Sequence, residues 1–381
     1  MITSILCGFI FIWSKVHISF NDFHEVNLKP FQIHLIDNIS GVTPEQNLYL
    51  FRHGIEGLYD CFLNLGRIVR SKNGNPVHIM EVGMHNARQC IAAANLGLEA
   101  HCIEPSPQSV PRIMEAISKA DVNIQERIRF YQMAAGATSG ETLKFTSSGG
   151  TGDHIGGGID VWNMIRLPET SASTNDVTDV KSISIDDIVF NNINPTKTFG
   201  SRTKNDDYGV IGHHLYMLKI DTQGFEPLVF SGLKRAIQEH RVDFIVTEFW
   251  PKGMDLMMST SACESGAVEI LKTLHNAGYT LYSMRVIQHP MGPIEPRKCI
   301  RDGIECIRPT HDAKKFCMWF YDIEKMFPHD EYKMGYWSDI VAVSPYAEIP
   351  DYDPSIEKCG TESNAKDIIT RFRQRSDWHN N

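Results

Sequence analysis

The spacing of apolar and polar positions changes character along the chain. Before residue 76, apolar side chains recur at three- and four-residue intervals, with Leu58, Phe62, Leu65 and Val69 as the clearest set behind a Thr43-Pro44-Glu45 helix start. Residues 21–75 therefore read as a helical lead-in, closed by the turn chemistry of Lys72-Asn73-Gly74-Asn75-Pro76. From Val77 onward, short apolar runs alternate with helix-spaced segments. Residues 77–82, 100–103 and 128–133 predict buried strands. Between them, Ala87, Cys90, Ile91, Ala94 and Leu98 predict one helix, and Val110, Ile113, Met114 and Ile117 a second. Ser109 is the expected cap of the second helix, with Pro111 in its first turn. Strands and helices alternating through short connections specify right-handed crossovers and a parallel sheet.

The pattern breaks at 147–182, where Gly149-Gly150 and Gly156-Gly157-Gly158 precede a Ser/Thr/Asp-rich stretch, and again at 191–209. Both read as insertions projecting from the sheet, with 171–179 as a mobile part. Alternation resumes with a strand at 215–220 ending in Asp221, and a helix carried by Phe225, Leu228, Val229, Leu233 and Ile237. A strand at 244–246 ending in Glu248, a helix at 267–276 and a strand at 279–284 follow. Residues 316–321 and 340–343 are expected as short strands, with Met318-Trp319-Phe320-Tyr321 in the core. The organisation is then a hydrophobic segment at 1–20, the lead-in, one enlarged α/β domain at 76–345 and a polar tail at 346–381.

Composition narrows the function. Lys plus Arg is 37 and Asp plus Glu 46, a net charge of −9, the wrong sign for a protein that coats phosphates, so no nucleic-acid partner is expected. A 42% hydrophobic and 22% charged chain is not globally disordered. The nine cysteines fall at irregular intervals without a C-x-x-C pair. They read as free thiols, with one bridge among Cys299, Cys306 and Cys317 left open for a secreted chain. Residues 2–13 are almost wholly apolar but shorter than the roughly 20 residues of a span. A signal-anchor, an atypical signal peptide and an ordinary N-terminal element all stay open, so the chain is expected in the cytoplasm or on a membrane through residues 1–20. The adjacent His213-His214 point to opposite faces of a strand and do not suggest a metal site.

Ligands of an open parallel sheet bind where strands end at their carboxyl edge. Glu81, Glu104, Asp221 and Glu248 fall there. Glu104 follows Glu81 by 23 residues, close to the interval at which an acid meets a nucleotide ribose. Yet Glu81-Val82-Gly83-Met84-His85-Asn86-Ala87 has one glycine where a dinucleotide fingerprint needs three. That favours an adenosyl ligand without phosphates, such as S-adenosylmethionine, over NAD. Glu104 suits the ribose diol because one carboxylate accepts from both hydroxyls.

Several motifs then line up in order. They are Glu81-Val82-Gly83, Ile103-Glu104-Pro105-Ser106-Pro107, Ala134-Ala135-Gly136-Ala137-Thr138-Ser139-Gly140 and Ser182-Ile183-Ser184-Ile185-Asp186-Asp187. Leu218-Lys219-Ile220-Asp221-Thr222-Gln223-Gly224-Phe225-Glu226 and Val246-Thr247-Glu248-Phe249 complete the series. In this combination the chain resembles the FkbM-type S-adenosylmethionine-dependent methyltransferase family. The resemblance implies a class I methyltransferase (Rossmann-like) fold, with a seven-stranded mostly parallel sheet and helices on both faces. It implies S-adenosylmethionine as cofactor, bound by Glu81, Gly83, His85, Glu104, Pro105, Ala134 and Ala135. It makes Asp221, Glu226 and Glu248 the catalytic candidates and implies O-methylation of a hydroxyl on a small-molecule, glycan or lipid-like acceptor. The chain departs from the family pattern where Ala87 stands for a glycine, His85 for an asparagine and Gln223 for a glutamate. These departures motivate the alternative of a methyltransferase-like, non-catalytic binding or scaffold module.

Overall fold

The computed structural model describes residues 30–36, 59, 63, 66–67, 69, 76–147, 154–155, 176–191, 193, 195–199, 214–284, 300–301, 304–305, 308–326 and 335–347. In chain order these form β1 (Ile33–Ile36), β2 (His78–Val82), α1 (Arg88–Asn95), β3 (Glu99–Ile103), α2 (Val110–Ser118), α3 (Val122–Gln125), β4 (Ile128–Tyr131) and β5 (Ala134–Ala135). Next come β6 (Thr142–Ser147), β7 (His154–Ile155), β8 (Asp176–Ile183), α4 (Ile185–Asn191), β9 (Lys197–Thr198), β10 (Leu215–Ile220), α5 (Glu226–Ser231) and α6 (Lys234–Gln238). The last are β11 (Val242–Phe249), α7 (Pro251–Met258), α8 (Ala267–Asn276), β12 (Thr280–Met284), β13 (Ile300–Arg301), β14 (Ile304–Glu305), α9 (Ala313–Met326) and β15 (Ser338–Val343).

The main sheet has nine strands rather than seven, in the order β1-β12-β15-β11-β10-β2-β3-β4-β9. It is mixed. The run β11-β10-β2-β3-β4 is parallel, as is β1 with β12. β15 runs antiparallel to both its neighbours, and β9 antiparallel to β4. The strands beyond the expected count are the short edges β1 and β9, which pair backbone that would otherwise face outward.

Successive strand residues point to opposite faces, and the central strands are apolar on both. From β2, Met80 and Val82 join one hydrophobic cluster with residues of α4, α5, α6, α8 and α9. Ile79 joins another with residues of α1 and α2. Helices therefore cover both faces. In the lead-in, Tyr59, Leu63, Gly66, Arg67 and Val69 are helical, with Tyr59, Leu63 and Val69 buried. Leu58, Phe62, Leu65 and residues 1–20 lie outside the described residues.

Four local expectations change. The segment 316–321 lies inside helix α9, and the buried Phe316, Trp319, Phe320 and Ile323 give a helical stripe at i, i+3, i+4 and i+7. The helix expected through Phe225 and Ile237 is two, α5 and α6, separated at Gly232-Leu233. Ser109 makes no cap hydrogen bond; its hydroxyl accepts from Arg112 Nη2 at 3.3 Å. The polar stretch before Ser182 ends in β8, part of a second sheet of order β5-β8-β6-β7, while 156–175 lies outside the described residues.

The thiol expectation is also corrected. Cys90 of α1 is joined to Cys102 of β3, and Cys263 to Cys317 of α9. The partners are 12 and 54 residues apart in sequence, and only the fold brings their Cα atoms to 6.4 and 6.0 Å. Cys299 and Cys306 lie outside the described residues. Asp255 anchors the loop that carries Cys263, accepting from the amides of Cys263 (2.7 Å) and Ser265 (3.0 Å) and from the Tyr321 hydroxyl.

A buried polar chain crosses β2, β3 and β4. His78 Nδ1 lies 3.1 Å from His101 Nε2, and His101 Nδ1 lies 3.2 Å from the Tyr131 hydroxyl. Burial, then the charge of Arg129, lowers the His78 imidazole to about 4. Burial, then His78, holds His101 well below its ordinary range. Both are neutral in the fold near neutrality. Among the described residues no helix is long and apolar enough to cross a membrane.

Candidate active site

Several strands of the main sheet end together. Ile220 of β10 pairs with Val82 of β2 and with Thr247 of β11, and Val82 pairs with Ile103 of β3. Gly83, Glu104, Asp221 and Glu248 therefore share one edge. Because β15 runs the other way, its first residues reach the same edge, with Asp339 opposite Glu248.

The turn after β2 is fixed by backbone. Gly83 N–H donates to the Ile103 carbonyl at 3.1 Å, and Asp221 N–H to the Val82 carbonyl at 3.0 Å. Gly83 has φ +77°, and a Cβ there would lie 1.8 Å from the Asp221 carbonyl oxygen. Only glycine fits. Two residues on, His85 is left-handed at φ +45°, and its amide donates to Glu104 Oε2 at 2.9 Å. The Ser106 amide donates to Glu104 Oε1 at 2.8 Å. Glu104 is thus buried and aimed by the amides of the loops after β2 and β3.

Glu81 sits deeper. Register partners in β10 and β2 point to the same face, so Lys219 meets Glu81 on the α1 side, Nζ to Oε1 at 3.4 Å. Lys219 also donates to Gln89 Oε1 at 2.8 Å and lies 3.7 Å from Asp221 Oδ2. Cys90 Sγ lies 3.3 Å from Glu81 Oε2, and in the disulfide it has no hydrogen to give. Burial, opposed by Lys219, pushes the Glu81 carboxyl up to about 7.

The other acids form one group. Asp221 accepts from Gln223 Nε2 at 2.9 Å, and the same nitrogen lies 3.5 Å from Glu248 Oε2. Glu226 is fully buried; its Oε1 accepts from the Thr222 amide (2.8 Å) and hydroxyl (3.0 Å), and its Oε2 has no partner. Burial pushes Glu226 up to about 7, with the charge of Asp221 adding to the rise. Glu248 is held well above the usual carboxylate range by burial and by Asp221, Glu226 and Asp339. Burial favours the neutral form of Glu226 and Glu248, and Asp221 lies beside them with its side chain 26% exposed, within reach of a bound group.

The Methyltransferase FkbM domain matches residues 81–281, more than half of the chain. The chain belongs to the FkbM methyltransferase family. No match was found among curated proteins. In this FkbM methyltransferase the matched region holds every candidate named from the sequence; Asp339 and the aromatic helix α9 lie beyond it.

The structure gathers Glu81, Gly83, His85, Glu104, Asp221, Glu226 and Glu248 around the ends of β2, β3, β10 and β11, with Pro105 between Glu104 and Ser106. Ala134 and Ala135 form β5, and their side chains are buried in hydrophobic clusters, which leaves only backbone to face a ligand. Sequence reasoning missed Lys219, Gln89 and Asp339 as members of the group. Lys219 had a signal, lying two residues before Asp221 and therefore on the same face of the chain. Asp339 had none, because an antiparallel register is not written in local spacing.

Proposed function

We propose that this methyltransferase uses S-adenosylmethionine and methylates a hydroxyl on a small-molecule, glycan or lipid-like acceptor. The observation that carries the reading is Glu104, buried at the end of β3 with its two oxygens aimed by the His85 and Ser106 amides. A pre-aimed carboxylate suits a ribose diol. An edge carrying Asp221, Glu248 and Asp339 suits the positive charge of a sulfonium and an ammonium group. When bound, S-adenosylmethionine supplies an electrophilic methyl group.

This chain's residues do the rest. Gly83 keeps the β2 turn close to Asp221, and Glu104 holds the ribose. Glu81 is enclosed with Lys219 and supports the turn from behind rather than facing the ligand. The acceptor's proton goes to Asp221, partly exposed at the end of β10 beside Glu248. Calorimetry on the full chain with S-adenosylhomocysteine tests the reading. Micromolar binding that Glu104→Ala abolishes is expected; no binding to the unaltered chain overturns it.

A further inference from the structure

We infer that Gln223 is the positioning residue of the transfer edge, holding the Asp221 and Glu248 carboxyl groups in place on either side of one amide nitrogen where the acceptor's proton is received. The inference rests on the methyl-transfer reading above and deepens it.

Four facts support it. First, the alternatives are enclosed. Glu81 is 1% exposed against Lys219, Glu226 is 0% exposed with Oε1 engaged by Thr222, and Asp339 is 2% exposed. The Asp221 side chain is 26% exposed, and Glu248 is partly exposed. Second, one nitrogen serves both: Gln223 Nε2 is 2.9 Å from Asp221 Oδ1 and 3.5 Å from Glu248 Oε2. An amide has two N–H groups, so each carboxylate receives one. Third, the aim of that side chain is set by the backbone. Gln223 has φ +55°, and Gly224 beside it has φ +96° and packs so closely that a Cβ would lie 2.8 Å from the Gly253 carbonyl group. Fourth, an amide is neutral and takes no proton in this range, so residue 223 is not the base. It offers an N–H toward each carboxyl group and leaves the proton to them.

The charges facing the pair are Lys219 on β10, Glu81 on β2, Glu226 on α5 and Asp339 on β15. In the transfer, the acceptor's O–H bond breaks and its proton passes to a carboxylate oxygen of the pair. The oxygen's electron pair forms the new bond to the methyl carbon, and sulfur keeps the electrons of the C–S bond that breaks.

The test uses the full chain, unaltered and as Gln223→Leu and Gln223→Glu, titrated with S-adenosylmethionine and S-adenosylhomocysteine from about pH 5.5 to 8.5. The first ligand carries the sulfonium charge and the second does not, so the ratio of their affinities reads the charge on this edge. In the unaltered chain the preference for the charged ligand rises with pH as Glu248 loses the proton that burial favours on it. Without the bridging amide the Glu248 carboxylate loses a hydrogen-bond donor and keeps its proton to higher pH, so the midpoint moves up by about one pH unit in Gln223→Leu. It moves the same way in Gln223→Glu, which adds a carboxylate. Affinity for S-adenosylhomocysteine stays within about threefold. Should Gln223→Leu not fold, the isosteric Gln223→Glu decides. An unmoved midpoint in variants that still bind both ligands overturns the role of Gln223 and leaves the methyl-transfer reading standing. Failure of the unaltered chain to bind either ligand overturns both.

Discussion

His85 donates its backbone N–H to Glu104 Oε2 at 2.9 Å from a left-handed conformation, φ +45°. A side chain in that region costs about 1–2 kcal/mol, whereas glycine there costs only about 0.5–1 kcal/mol in chain freedom. His85→Gly keeps the amide donor and is expected to be neutral or stabilising by up to about 1 kcal/mol. S-adenosylhomocysteine affinity should stay within about threefold, because the contact to Glu104 is made by backbone. A loss of tenfold or more (about 1.4 kcal/mol) would mean that the imidazole itself holds the cofactor.

Gly83→Ala places a methyl group 1.8 Å from the Asp221 carbonyl oxygen at φ +77°. The turn and the end of β10 cannot both stay in place. The expected loss is more than about 3 kcal/mol in urea unfolding. A variant within about 1 kcal/mol of the unaltered chain would show that this edge yields more than its geometry suggests.

The imidazoles of His78 and His101 set an acid limit. Burial and Arg129 hold His78 at about 4 in the fold against 6.5 when unfolded, and His101 is shifted the same way. Between those values the unfolded chain binds more protons, so stability falls as pH drops from 6.5 towards 4 and is unaffected by these groups above 6.5. Each imidazole contributes a slope of up to about 1.4 kcal/mol per pH unit. Unfolding measured across that window should give a shallower slope for His78→Gln. The same slope after replacement of both histidines would remove them as the cause.

The Cys263–Cys317 bridge closes a sequence separation of 54 residues, for which chain entropy suggests about 4 kcal/mol. Cys90–Cys102, with a separation of 12, suggests about 3 kcal/mol. Strong reductant under partly denaturing conditions should lower the melting temperature of the unaltered chain by several degrees. Paired Cys263→Ser and Cys317→Ser changes should lower it before any reductant is added. Mass spectrometry of an unreduced digest that recovers all four cysteines as free thiols would contradict both bridges.

The parallel core and its acids were legible in the sequence because each apolar run ends at a charged or turn residue: Val82 before Gly83, Ile103 before Glu104, Ile220 before Asp221. What these acids touch was not. Gln223 stood out only as a departure from the family pattern, and its bridging position depends on a left-handed backbone that no spacing reveals. Met318 to Tyr321 suggested a strand because four consecutive large side chains carry no period. The period emerges only when the segment is read on from Phe316 to Ile323. The disulfides were hidden for a similar reason: Cys90 and Cys102 meet because a helix and the next strand pack together, a relation between elements and not within one.

β15 also has a consequence for how the protein is made. β11 and β12 do not pair with each other; each pairs with β15, which inserts between them. Until residues 338–343 have left the ribosome, β11 has an open backbone edge on that side, and Glu248 lacks its neighbour Asp339. The acidic edge is therefore completed late in synthesis, although Glu81, Glu104 and Asp221 emerge much earlier. A prematurely ended chain would carry nearly all the recognisable motifs and still expose an adhesive strand flank where the finished protein has β15.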